Sequence, residues 1–171
     1  MTPRRRRLLL GAGAVAASAG AGLGVWLGRE DGPVRHSVFG RRFPTPAGAD
    51  LDMATFFGRP LLLNFWATWC PPCVREMPLL DRFHRAHAAQ GWQVVGLAID
   101  GPAAVREFLQ RSAVSFPIGL AGFDGTNLAK DLGNTAGGLP FSALFDARGE
   151  LRDRHLGELQ ESDLLRWVDS I

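Results

Sequence analysis

The feature that most constrains this chain is a junction. The apolar run Leu61-Leu62-Leu63-Asn64-Phe65-Trp66 leads through Ala67-Thr68-Trp69 into Cys70-Pro71-Pro72-Cys73, and apolar side chains then recur at helical spacing. A run of that length is too short for a helix and fits a strand covered on both faces. Proline cannot continue a central strand, yet it is accommodated in the first turn of a helix, where its missing N–H costs nothing. Val74, Met77, Leu79, Leu80 and Phe83 then predict a helix to about Gln90. Both cysteines therefore fall where a buried strand hands over to a helix.

These are the only two cysteines in the chain, so no structural disulfide framework is available beyond this pair. Residues three apart share a helical face, which lets Cys70 and Cys73 close a small, reversible disulfide. Cys70, at the positive end of the helix dipole, is the expected nucleophile, because that position favours its thiolate. Cys73, deeper in the helix, is the expected resolver of a mixed disulfide. Neither intervening proline donates an N–H to the Cys70 thiolate, so the reduced form has fewer stabilising donors and the pair is expected to give electrons rather than take them. The competing structural readings are two inert buried thiols or half of a zinc site. Zinc needs two further Cys or His at suitable spacing, and none are apparent.

Downstream, Trp92 to Ile99 reads as a second apolar strand and Ala103 to Arg111 as a helix with Val105, Phe108 and Leu109 on one face. A short strand over Phe116 to Leu120 and a short helix over Thr126 to Leu132 follow. Ser142 to Phe145 and Glu150 to Leu156 read as two strands joined through Asp146-Ala147-Arg148-Gly149, and Glu161 to Val168 as a closing helix. Early β/α alternation predicts parallel pairing and the late hairpin an antiparallel pair. The expected class is α/β, a mixed central sheet with helices on both faces.

Four of the nineteen basic residues are Arg4 to Arg7, which leaves fifteen basic against seventeen acidic in the remainder. Without a basic footprint, nucleic acid is not an expected partner. Leu8 to Leu27 carries no charge, and at about 1.5 Å per residue a helix of that length spans a bilayer core. Residues 1–28 are thus expected to form a membrane anchor with the arginines in the cytoplasm, or else an export signal. Ala17-Ser18-Ala19 and Ala19-Gly20-Ala21 have the small-x-small form of a cleavage site, and Arg5-Arg6-Arg7-Leu8-Leu9 resembles a twin-arginine core. Either way the remainder lies outside the cytoplasm. Residues 29–45 read as a polar lead-in linker and 46–171 as the folded domain.

Asn64 to Cys73 together with Gly138-Leu139-Pro140-Phe141-Ser142-Ala143-Leu144-Phe145-Asp146 resembles the TlpA/ResA-like, membrane-anchored branch of the thioredoxins, from about Leu51 to the C-terminus. The resemblance implies a thioredoxin-like fold with an inserted strand and helix, and work outside the cytoplasm. It implies reduction of oxidised apo-proteins (apo-cytochrome c or apo-copper-site cysteines) with electrons from a transmembrane thiol carrier. No cofactor is expected beyond the redox-active disulfide itself. Carried over by position, Cys70 is nucleophile, Cys73 resolver and Pro140 a cis-proline facing them, while Leu139 offers backbone to an extended substrate. Glu76 matches an acid kept near the pocket, where it takes the proton of the Cys73 thiol. Its alternative reading is an exposed first-turn acid complementing the helix dipole. Asn64 replaces the buried aspartate relay of cytoplasmic thioredoxins, and Phe141 departs from the small or polar residue usual after the cis-proline. Trp66 is read as core packing and Trp69 as a border of the substrate groove.

His84 and His87 share a helical face, yet two ligands are too few for a metal site, and that face is expected to be solvated. His36 and His155 have no motif around them. The rival functions are a copper-binding assembly protein of the same fold and a thiol peroxidase. The first uses cysteines separated by three residues rather than two, and the second a Thr-x-x-Cys that Thr68-Trp69-Cys70 misses by one position.

Overall fold

The computed structural model describes residues 36–171. The expected anchor or signal over 1–28 and the first part of the lead-in, 29–35, lie outside the described residues. Among the described residues no helix is long and apolar enough to cross a membrane.

Strand β1 (Arg42–Pro44) pairs antiparallel with β2 (Asp50–Asp52). Then come β3 (Leu61–Trp66), α1 (Pro71–His87), β4 (Gln93–Ala98), α2 (Pro102–Arg111), β5 (Ile118–Leu120), α3 (Gly125–Asp131), β6 (Phe141–Phe145), β7 (Leu151–Leu156) and α4 (Glu161–Asp169). The main sheet has the order β5-β4-β3-β6-β7. β3, β4 and β5 run parallel, while β6 is antiparallel to both β3 and β7. This is the mixed α/β sheet expected, with α2 and β5 as the added helix and strand.

The runs in β3, β4 and β6 are buried at every residue because both faces of the sheet are covered. Alternation along β3 sends Leu62, Asn64 and Trp66 to one face and Leu61, Leu63 and Phe65 to the other. The first face packs with Met77 and Leu80 of α1, Val105 and Phe108 of α2, and Leu164 and Trp167 of α4. The second packs with Leu128 and Leu132 and with Val38, Phe39 and Met53 from the N-terminal part. Trp66 is a core residue, fully buried with its ring 5.2 Å from that of Phe108.

The folded domain begins earlier than position 46. Val38 and Phe39, in a short 3-10 turn over Ser37–Gly40, are fully buried, and Phe43 of β1 is buried as well. These side chains cover one face of the sheet, so residues from 37 onward belong to the domain and not to a linker.

Candidate active site

Loops from the carboxyl ends of β3 and β4, the segment entering β6 and the segment leaving β7 meet at one edge of the sheet. Phe65 of β3 pairs with Phe141 of β6, which pairs with Leu156 of β7. That register carries Leu139 and Pro140 to the edge from which the cysteine loop emerges. The Leu139–Pro140 peptide is cis, and Leu139 packs against the core cluster that contains Cys70 and Cys73. Gly157 N–H donates to the Pro140 carbonyl at 2.9 Å, and Asn134, buried, holds the Gly137-Gly138 turn by two side-chain bonds.

Cys70 is the N-cap of α1, with Pro71 and Pro72 in the first turn. Cys70 and Cys73 form a disulfide with their Cα atoms 5.3 Å apart. Among the hydrogen bonds of the described residues, the Cys73 N–H donates to Cys70 Sγ at 3.3 Å, while the two prolines contribute no donor. Cys73 is fully buried and Cys70 nearly so, whereas the Trp69 side chain beside them is 64% exposed.

Glu76 lies one turn beyond Cys73 on the same face of α1. It is not an exposed first-turn acid: only 1% of it is accessible. Asn64 Nδ2 donates to Glu76 Oε1 at 2.7 Å and to Ser142 Oγ at 3.0 Å, and Leu159 N–H donates to Glu76 Oε2 at 2.9 Å. Burial disfavours the carboxylate and raises its pKa to about 7, against the lowering effect of the bonds from Leu159 and Asn64; Glu158 nearby adds to the rise. Such a group exchanges protons near neutral pH. Arg75 covers this corner from outside, its guanidinium donating to Glu158 Oε2 at 3.0 and 2.7 Å.

Sequence reasoning missed Asp100, just past β4. It accepts from Thr68 N–H at 2.9 Å, from Thr68 Oγ at 2.5 Å and, through its other oxygen, from Gly101 N–H at 2.7 Å. Those bonds pin the loop immediately before Cys70. Burial pushes this carboxyl up, but the donors outweigh it and hold the pKa below the ordinary value. Ser142 and Leu159, which complete the Glu76 network, were missed as partners too; no local pattern links them to Glu76 across the chain.

The histidines depart from expectation. His84 and His87 are half-buried, not solvated: His84 meets Phe116 edge-on at 6.3 Å, and His87 stacks on Phe83 at 4.4 Å. Burial lowers the His84 pKa, with Asp81 opposing. His36 accepts from Val38 N–H at 3.2 Å and packs against Phe145.

The described domain, with its disulfide at a strand-to-helix junction and its cis-proline before β6, matches the redoxin family pattern over residues 41–166. The chain belongs to the redoxin family. This redoxin is 30% identical to the thiol-disulfide oxidoreductase ResA of Geobacillus kaustophilus over 125 residues, covering 72% of this chain and 70% of that protein. Among solved structures it is similar to DsbF of Mycobacterium tuberculosis (MTB) at 27% identity, with a TM-score of 0.68 over 80% of this chain and 98% of that one. StoA from Bacillus subtilis matches at 26% identity and a TM-score of 0.61, over 75% and 95% of the two chains. The fold is thioredoxin-like, and this redoxin is a thiol-disulfide oxidoreductase of the ResA type with a Cys-x-x-Cys pair.

Proposed function

We propose that the chain reduces disulfides of apo-proteins outside the cytoplasm, in the maturation of cytochrome c or of copper sites, and is recharged by a membrane thiol donor. The observation that carries this reading is the Cys70–Cys73 disulfide at a helix N-terminus that offers its sulfur one N–H, with a buried acid titrating near neutrality one helical turn beyond Cys73. No further cofactor enters the reading. The charge-free stretch Leu8 to Leu27 behind Arg4 to Arg7 supports export and tethering to the inner membrane.

In this mechanism the Cys70 thiolate attacks a substrate disulfide, forming one S–S bond and releasing one substrate thiolate. Cys73 then gives its proton to the Glu76 carboxylate and attacks Cys70 Sγ, which releases the second substrate thiolate and restores the Cys70–Cys73 disulfide. Two electrons pass to the substrate, and its thiolates take up protons. Leu139 and Pro140 hold the substrate backbone beside the pair, and Trp69 borders it.

Equilibration against glutathione or dithiothreitol, read by Trp fluorescence, tests the direction of electron flow. A potential near or below about −230 mV fits a donor, whereas a value near about −120 mV marks an oxidant and overturns the argument from the two prolines. Cys70→Ser abolishes dithiol activity and Cys73→Ser accumulates mixed disulfides; equal residual activity in the two variants overturns the assignment of roles.

A further inference from the structure

Five large apolar side chains are substantially exposed among the described residues, and three of them, Trp69, Phe123 and Leu156, lie at the sheet edge that carries the dithiol. Singly exposed apolar residues are ordinary; what sets Phe123 apart is that it stands at the end of the sheet that also carries the dithiol. Trp69 follows β3 and Leu156 ends β7. Phe123, 85% exposed, sits in the loop between β5 and α3.

That loop is held tightly. The N–H groups of Ala121 and Gly122 both donate to the Ala98 carbonyl, at 3.0 and 3.1 Å, and Gly125 N–H closes the turn onto Ala121 and Gly122. Gly122 has φ +56°, the left-handed region that glycine enters freely. A Cβ on Gly125 would meet Ala121 Cβ at 2.7 Å and Ile99 Cγ1 at 3.0 Å, so the turn tolerates little change there. The same end of β4 continues to Ile99, bonded to the Trp66 carbonyl, and to Asp100, bonded to Thr68. Phe123 is thus presented on backbone tied, through β4, to the loop that carries Cys70. A preorganised aromatic loses little freedom when a partner covers it.

We propose that Phe123 is a second apolar anchor for the polypeptide segment that bears the substrate disulfide, and so sets a sequence preference beside the reacting cysteine. This rests on the reading of the chain as a reductase of protein disulfides. β5 lies two strand spacings from β3, about 10 Å, which an extended peptide covers in about three residues. The preferred partner is therefore an extended segment with an aromatic or large aliphatic side chain about three positions from its cysteine, continuous with the contact that Trp69 and Leu139 make.

The test uses the full chain, reduced by dithiothreitol, acting on synthetic peptides whose single cysteine is joined to glutathione. One peptide pair carries Phe, and a matched pair Ser, three positions before or after that cysteine. The wild-type chain is expected to show a KM about tenfold lower for one Phe peptide than for its Ser counterpart. Phe123→Ser collapses that ratio toward one, and Phe123→Leu keeps most of it. A ratio near one in the wild type, or the same ratio in wild type and Phe123→Ser, overturns the proposal. So does a concentration-dependent dimer that Phe123→Ser abolishes while the ratio stands, which gives the side chain to a second copy. Failure of the wild type to reduce any of the peptides removes the reductase reading itself, a result distinct from reduction without preference.

Discussion

Two carboxylates flank the dithiol, and their titration moves in opposite directions. Asp100 stands at the partly open rim, where three donated hydrogen bonds outweigh its burial and keep it ionised. Glu76, one helical turn beyond Cys73, has two such bonds, and there burial wins, lifting the group to about 7. The contrast teaches that donors alone do not fix a carboxylate's charge; what decides is whether they replace the water that folding removes. One acid is left as a fixed peg for the loop before Cys70, and the other as a buried group able to exchange protons near neutral pH.

The largest expected effect breaks the contrast from the Glu76 side. Its folded pKa of about 7 lies above the ordinary value of 4.5, so the stability associated with its neutral form is fully present below about pH 4.5 and lost as pH rises through about 7. By linkage this group lowers stability by about 3 kcal/mol between those limits. Denaturant midpoints at pH 5 and pH 8 measure the slope, and Glu76→Gln is expected to flatten it. The same variant slows resolution of the mixed disulfide about 100-fold at neutral pH and removes an inflection near pH 7, followed by stopped-flow Trp fluorescence. An inflection that survives the substitution means another group takes the Cys73 proton.

The rim comes next in size. Asp100→Ala strands the Thr68 donors and is expected to cost about 2 kcal/mol in a denaturant titration, as loss of charge-assisted bonds does. Thr68→Val deletes the hydroxyl bond and keeps the N–H bond, so about 1 kcal/mol is expected. Asp100 acts through Thr68 on the position of Cys70. Both variants are therefore also expected to shift the pH dependence of Cys70 alkylation, a readout that a purely global loss of stability leaves in place.

How far this site was legible depends on the reach of each signal. The junction of β3 with Cys70-Pro71-Pro72-Cys73 was readable because a buried run, two prolines and a helical period abut within a few residues. The parallel and antiparallel halves of the sheet followed from strand and helix alternation. β1 and β2, three residues each, are too short for any period to register, and the buried Val38, Phe39 and Phe43 sit among polar and glycine neighbours that read as linker. Glu76 was singled out, but the choice between buried and exposed turned on Asn64, Ser142 and Leu159, whose approach only the folded sheet provides. Asp100 carried no local signal, since its contact with Thr68 joins the ends of two parallel strands.

The smallest effect on folding is expected at Trp69, and it sharpens the comparison most. Its side chain is 64% exposed, so Trp69→Ala removes little buried surface and is expected to change stability by no more than about 0.5 kcal/mol. The substitution removes the exposed indole next to Cys70 in the chain while leaving Asp100, Thr68 and Glu76 bonded as they are. KM for a peptide disulfide is then expected to rise several-fold with the pH inflection near 7 unchanged, measured with the same peptides and the same pH series. An unchanged KM removes Trp69 from the substrate surface, whereas a displaced inflection means that the rim and the buried acid are not separable and that the indole shields Glu76 from water.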